Sequence, residues 1–194
     1  MWLRNLFLFL SVALLAGCEK PKLPSPFHAN DISVMFTEAD FHLTDHNGKP
    51  RSLADFRGKV VALFFGYTGC PDVCPTTLAD LAQAKKLLGK DADRVQVLFV
   101  TVDPERDRPE MMAKYVPAFD PSFLGLYGDA QATAQAAKAF YVTYQKQSSE
   151  SGYNMDHSLG TFLVDPKGKV RLRAPHAQRA EWLADDIRLL LGGA

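Results

Sequence analysis

Two stretches of the chain are apolar almost without interruption. "KVVALFFG" (59–66) and "RVQVLFVTV" (94–102) are rich in β-branched and aromatic residues, the pattern of strands buried on both faces. Between them Leu78, Leu81, Lys85 and Leu88 recur at helical spacing up to Gly89, with Lys85 the one polar break. Upstream, "DFHLTDHNGKPRSL" (40–53) alternates around Asn47-Gly48, a hairpin turn signal. Downstream, "RPEMMAKYVPAF" has Pro109 at a helix start, with Asp107 and Glu110 spaced as a capping box. "DAQATAQAAKAFYV" predicts an Ala-rich helix, "GTFLVD" and "KVRLRA" around "PKG" predict a second hairpin, and "AQRAEWLADDIRLLL" predicts a closing amphipathic helix.

Strands joined through helices require parallel neighbours, and the late hairpin adds antiparallel ones. The expected architecture is therefore α/β: a mixed central sheet flanked by helices, with an N-terminal β-hairpin. A thioredoxin-like fold with insertions has this order. A chain of 194 residues that is 47% hydrophobic and 23% charged can bury one proper core. Its formal net charge of +0 points to no nucleic-acid partner.

The first residues belong to a different class. "MWLRNLFLFLSVALLAGCEK" carries Arg4, then an apolar run from Leu6 to Ala16, too short to span a bilayer and suited to a secretory signal. It ends in Leu15-Ala16-Gly17-Cys18, which resembles the lipobox of bacterial lipoproteins and makes Cys18 the expected lipidation site. The expected organisation is a lipoprotein-type signal peptide at 1–17, a lipid-anchored flexible linker at 18–38, and a thioredoxin-like domain at 39–194. Such a protein sits in the bacterial cell envelope, on the periplasmic side, held to a membrane by its lipid.

That location bears on the other two cysteines, in "GYTGCPDVCPTT" (66–77). In an oxidising compartment a close thiol pair becomes a disulfide unless a reductase keeps it open. Pro75 suits a first helical position, which puts Cys74 beside a helix N-terminus that favours a thiolate. Pro71 suits a tight turn returning Cys70 toward Cys74. The pair can be a structural staple, a redox dithiol or a soft-metal clamp. A staple closing so short a loop stabilises little, and zinc needs two further ligands. In a thioredoxin-like layout, His157 in "NMDHS", in the loop entering the strand "GTFLVD", faces the cysteine turn. Two sulfurs and one imidazole suit Cu(I) and also accommodate Cu(II). Met155 is a soft donor better read as a packing residue.

"FFGYTGCPDVCPTTLADL", "VTVDPERDRPEMMAKYV" and "DHSLGTFLVDPKGKV" closely resemble the Sco/SenC family across most of residues 37–191. Those are membrane-tethered, thioredoxin-like copper proteins associated with assembly of cytochrome c oxidase. By position, the resemblance implies that Cys70, Cys74 and His157 bind copper and that Cys70 and Cys74 form the redox disulfide. It places Asp103 and Asp107 of the acidic segment near the site, with Asp72 inside the turn. Arg108 departs from the small hydroxylic residue expected before Pro109.

The function this implies is a copper metallochaperone, without enzymatic turnover, that delivers copper to the dinuclear centre of the oxidase's copper-bearing subunit. The alternative is a thiol-disulfide reductase keeping that subunit's copper-ligand cysteines reduced. Either one needs a periplasmic thiol reductase as partner. The C-x-x-x-C spacing, with Asp156-His157 where redox thioredoxins carry a proline, favours the metal. A peroxidase lacks its expected Thr spacing before Cys70, and a blue-copper carrier lacks its compact ligand loop.

Overall fold

A computed structural model describes residues 25–149 and 152–193. The signal segment and Cys18 lie outside them. Among the described residues, ten strands and four α-helices follow in chain order. They are β1 (Asn30–Asp31), β2 (Leu43–Asp45), β3 (Pro50–Arg51), β4 (Val60–Gly66), α1 (Val73–Leu87), β5 (Val95–Thr101), α2 (Pro109–Tyr115) and β6 (Leu124–Tyr127). After these come α3 (Ala130–Ala139), β7 (Tyr144–Ser149), β8 (Gly152–His157), β9 (Thr161–Val164), β10 (Val170–Ala174) and α4 (Ala180–Leu191).

Eight strands form one sheet in the order β1-β10-β9-β4-β5-β6-β2-β3. β4, β5 and β6 run parallel, as helical crossovers demand. The two hairpins and β1 add antiparallel neighbours on either side. This is the mixed sheet that the element order implies, and every residue of β4 is buried in it. The hairpin β2–β3 turns at Gly48, whose φ of +83° suits glycine.

Alternation along β4 sorts the core. Phe64 faces Phe99 and the side that receives α1 and α2, with the Tyr115 ring of α2 against Phe99. Phe65 faces the other way, onto Phe140 at the end of α3 and onto Phe162. Helices thus cover both faces. Lys85, the polar break in the α1 stripe, is buried with its Nζ on Ser122 and 3.3 Å from Asp120, so its charge is paired. Among the described residues no helix is long and apolar enough to cross a membrane.

Three expectations change. Residues 28–36, read as part of the linker, are held to the domain: Ala29 is buried, β1 pairs with β10, and the Phe36 ring meets Phe140 at a tilt and Phe162 edge-on. The capping box at α2 is absent. Arg108 is the N-cap without a side-chain cap bond, and the Asp107 carboxylate is turned inward to Thr68 and Thr101. Finally, His157 ends a strand, β8, whose pairing with β7 forms a separate two-stranded ribbon.

Candidate functional site

β4 delivers the chain to a bend at Tyr67–Asp72 and then into α1, at the C-terminal edge of the parallel strands where open α/β sheets bind ligands. Helix α1 begins at Val73 with Asp72 as N-cap, so Cys74 is its second residue and Pro75 its third, two positions later than the sequence suggests. Cys74 is fully buried and Cys70 half-buried; both are free thiols. The Cys74 backbone N–H donates to Cys70 Sγ at 3.5 Å.

Cys74 sits so close to the sheet that only glycine fits beneath it. A Cβ on Gly66 would lie 2.8 Å from Cys74 Sγ and 2.9 Å from the rings of Phe64 and Phe99. Burial drives the Cys74 thiol well above its ordinary pKa, and the neighbouring Cys70 sulfur pushes the same way, against a hydrogen bond from the Tyr67 backbone. The thiolate expected at this helix start is therefore overturned for the apo, reduced protein: desolvation outweighs the dipole.

His157 Nε2 lies 3.9 Å from Cys74 Sγ. Its Nδ1 is 3.1 Å from the Ser158 carbonyl oxygen. That oxygen can only accept, so Nδ1 carries the proton and Nε2 turns its lone pair toward the sulfur. Burial lowers the His157 pKa, opposed by the Ser158 bond and the charge of Asp156, which keeps the ring in its neutral, metal-ligating form. Phe64 and Tyr67 wall the ring edge-on at centroid distances of 6.2 and 6.1 Å.

A cleft of about 320 Å³ opens here, lined by Tyr67, Cys70, Asp72, Met155, His157 and Leu159 among others. Met155 is buried in its wall, and Asp72 lies at its rim with Thr76 Oγ1 3.5 Å from its carboxylate. Among the described residues no three His, Cys, Asp or Glu side chains already surround a common point. The geometry is a sulfur–imidazole pair with a second sulfur beside it. Bonds of about 2.0 to 2.3 Å, as in Zn–N and Zn–S, would let one ion bridge the 3.9 Å pair.

Asp103 and Asp107 are both buried, and their hydrogen bonds go to other residues than the cysteines. Asp107 accepts from Thr68 N–H at 3.0 Å, Thr68 Oγ1 at 2.5 Å and Thr101 Oγ1 at 2.6 Å, fixing the loop two residues before Cys70. Asp103 accepts from Tyr153 hydroxyl at 2.9 Å and from Arg106 Nε. Thr68, Thr101, Arg106 and Tyr153 escape a reading by motif. The signal for them is an acid-rich segment closing a buried strand, since buried carboxylates require donors.

A dithiol at a strand-to-helix bend, faced by a neutral histidine from a distant strand, defines a thioredoxin-like domain equipped to hold a soft cation. The SCO1/SenC family profile matches residues 31–192, and the chain belongs to that family. It is 41% identical over 155 residues to Protein SCO2 homolog, mitochondrial, of Homo sapiens, covering 78% of this chain and 58% of that protein. The chain thus spans less than two thirds of that relative's length. Among solved structures, Bradyrhizobium japonicum ScoI with copper bound is 38% identical at a TM-score of 0.72, covering 78% of this chain and 97% of that one. Apo Sco1 from Thermus thermophilus is 41% identical at a TM-score of 0.72, covering 87% and 99%.

Proposed function

We propose that this protein is a copper metallochaperone that takes copper on Cys70, Cys74 and His157 and passes it by ligand exchange to the copper-bearing subunit of cytochrome c oxidase during assembly. The observation that carries the reading is the 3.9 Å approach of His157 Nε2 to Cys74 Sγ across 83 residues of sequence. A structural or purely redox dithiol does not need that imidazole. Copper bound to the ScoI of Bradyrhizobium japonicum supports the cargo, and soft sulfur with a borderline nitrogen suits both its oxidation states. Binding draws both thiols to thiolates, so the ion supplies the charge that offsets the desolvation of Cys74. The lipid anchor at Cys18, the periplasmic setting and a reductase that reopens a Cys70–Cys74 disulfide complete the proposal, resting on the N-terminal sequence and on the redox logic of the compartment.

The test is copper titration of the reduced chain with absorption and stoichiometry. Wild type binds one copper; Cys70→Ser, Cys74→Ser and His157→Ala each lower affinity and change the spectrum. A His157→Ala spectrum and affinity identical to wild type would sink the three-ligand assignment.

A second reading, thiol-disulfide reduction of the target's cysteines, is favoured by one observation: a half-buried Cys70 stands over a fully buried Cys74, the arrangement of an attacking and a resolving thiol. His157 separates the two. A His157→Ala strain that still assembles active oxidase is a strain in which exchange, not copper carriage, is the essential step.

A further inference from the structure

The loop from Val102 to Arg108 touches both halves of the site. Toward the cysteines, Asp107 holds Thr68. Toward the histidine, Arg106 Nη1 donates to the Tyr153 carbonyl at 2.8 Å, the Tyr153 hydroxyl donates to Asp103, and Lys146 Nζ reaches Glu105 at 2.6 Å. The Arg106 guanidinium lies 3.7 Å from the Tyr153 ring centroid and 5.6 Å from that of Tyr67. Tyr67 follows β4 on the way to Cys70, and Tyr153 lies in β8 ahead of His157. Among the described residues Arg106 Nη2 is buried without a hydrogen-bond partner, so stacking and two directed bonds hold this group.

The ribbon β7–β8 needs such a fastening. Its strands pair only with each other and not with the main sheet, and a two-stranded ribbon is marginal by itself. Among the described residues its other ties to the domain come from the base: the Met155 backbone bonds the Tyr67 phenol, Met155 and Tyr144 pack on the core, and the His157 ring lies against Phe64 and Tyr67. A planar, permanently charged fork can stack on a ring and bond a carboxylate and a carbonyl at once, which lysine cannot do.

We propose that Arg106 is a positioning residue for the copper site. By linking Tyr67 to Tyr153 and Asp103 it seats the β7–β8 ribbon on the cysteine strand, and so sets the approach of His157 to Cys74. The inference rests on the copper reading above.

The experiment compares the full chain, reduced, as wild type, His157→Ala, Arg106→Leu and Arg106→Lys. It reads amide hydrogen exchange without metal, then the Cu(II) spectrum. Loss of the bracket makes amides of Tyr144–Ser149 and Gly152–His157 exchange at least about tenfold faster, while those of β4 and β5 keep wild-type protection. The copper spectra of both Arg106 variants shift toward that of His157→Ala. Lysine fails to rescue because it lacks the fork, and it serves as the test variant where leucine does not fold. Wild-type ribbon protection and a wild-type copper spectrum in Arg106→Lys or Arg106→Leu, with His157→Ala still altered, overturn the positioning role and leave the copper reading standing. A His157→Ala spectrum identical to wild type overturns both.

Discussion

A cysteine in the first turn of a helix is pulled in opposite directions, and at Cys74 the stronger pull is burial. The dipole of α1 favours the thiolate, but full desolvation and the adjacent sulfur raise the pKa. Cys70 is half-buried on the cleft wall. Alkylation of the reduced protein by iodoacetamide therefore modifies Cys70 first, and Cys74 is labelled only after unfolding; mass spectrometry of a time course reads the order, and equal rates would contradict the placement. Asp107 offers a second test. Burial raises its pKa despite the bonds from Thr101 and Thr68. A carboxyl with a raised folded pKa contributes stability that is fully present below its unfolded value near 3.8 and is lost as pH rises through the folded value. Wild type thus loses stability relative to Asp107→Asn as pH climbs from about 3 to 7, measured by paired urea melts. A constant or opposite difference would show that the carboxylate form is the one the fold prefers.

At the scale of elements, one buried side chain anchors the start of the N-terminal arm. Asp186 in α4 is fully buried and accepts from His28 N–H at 2.7 Å, Ala29 N–H at 2.9 Å and Gln178 Nε2 at 3.1 Å. Asp186→Ala strands those donors, costs about 1–3 kcal/mol, and exposes residues 28–36 to proteolysis while the rest of the domain stays resistant. Uniform sensitivity along the chain would instead mean global unfolding. This arm also shows what a sequence conceals. β4 and β5 are legible because strands buried on both faces must be apolar throughout. β1 is two residues long and owes its existence to partners distant in sequence, Arg173 and Leu172. β7, "YQKQSS", is exposed along most of its length, so no alternation marks it. Likewise Cys70, Cys74 and His157 are legible by residue type and motif. The brackets around them, Thr68 with Asp107 and Arg106 with Tyr153, are ordinary residues whose roles come only from the contacts that the fold creates.

For the whole molecule, copper on the proposed Cys70–Cys74–His157 site would cross-link segments that only folding brings together. Cys70 lies in the bend after β4, Cys74 in the first turn of α1, and His157 arrives from the β7–β8 ribbon, 83 residues beyond Cys74. An ion held by all three binds the native state more tightly than the unfolded chain, where only the neighbouring cysteines remain together, so it stabilises the fold by at most about 2.7 kcal/mol when free copper is 100 times its dissociation constant. Each tenfold loss of affinity removes about 1.4 kcal/mol of that gain. A Cys70–Cys74 disulfide acts differently, because it closes only a few residues and contributes at the low end, about 2 kcal/mol, by restricting the unfolded chain. It also consumes the two thiolates that the metal requires. Thermal melts at rising copper concentration should therefore give a midpoint that climbs in reduced wild type, climbs less in His157→Ala, and does not move in the oxidised protein. If the oxidised chain responds like the reduced one, copper is bound elsewhere and the dithiol–imidazole site is not its seat.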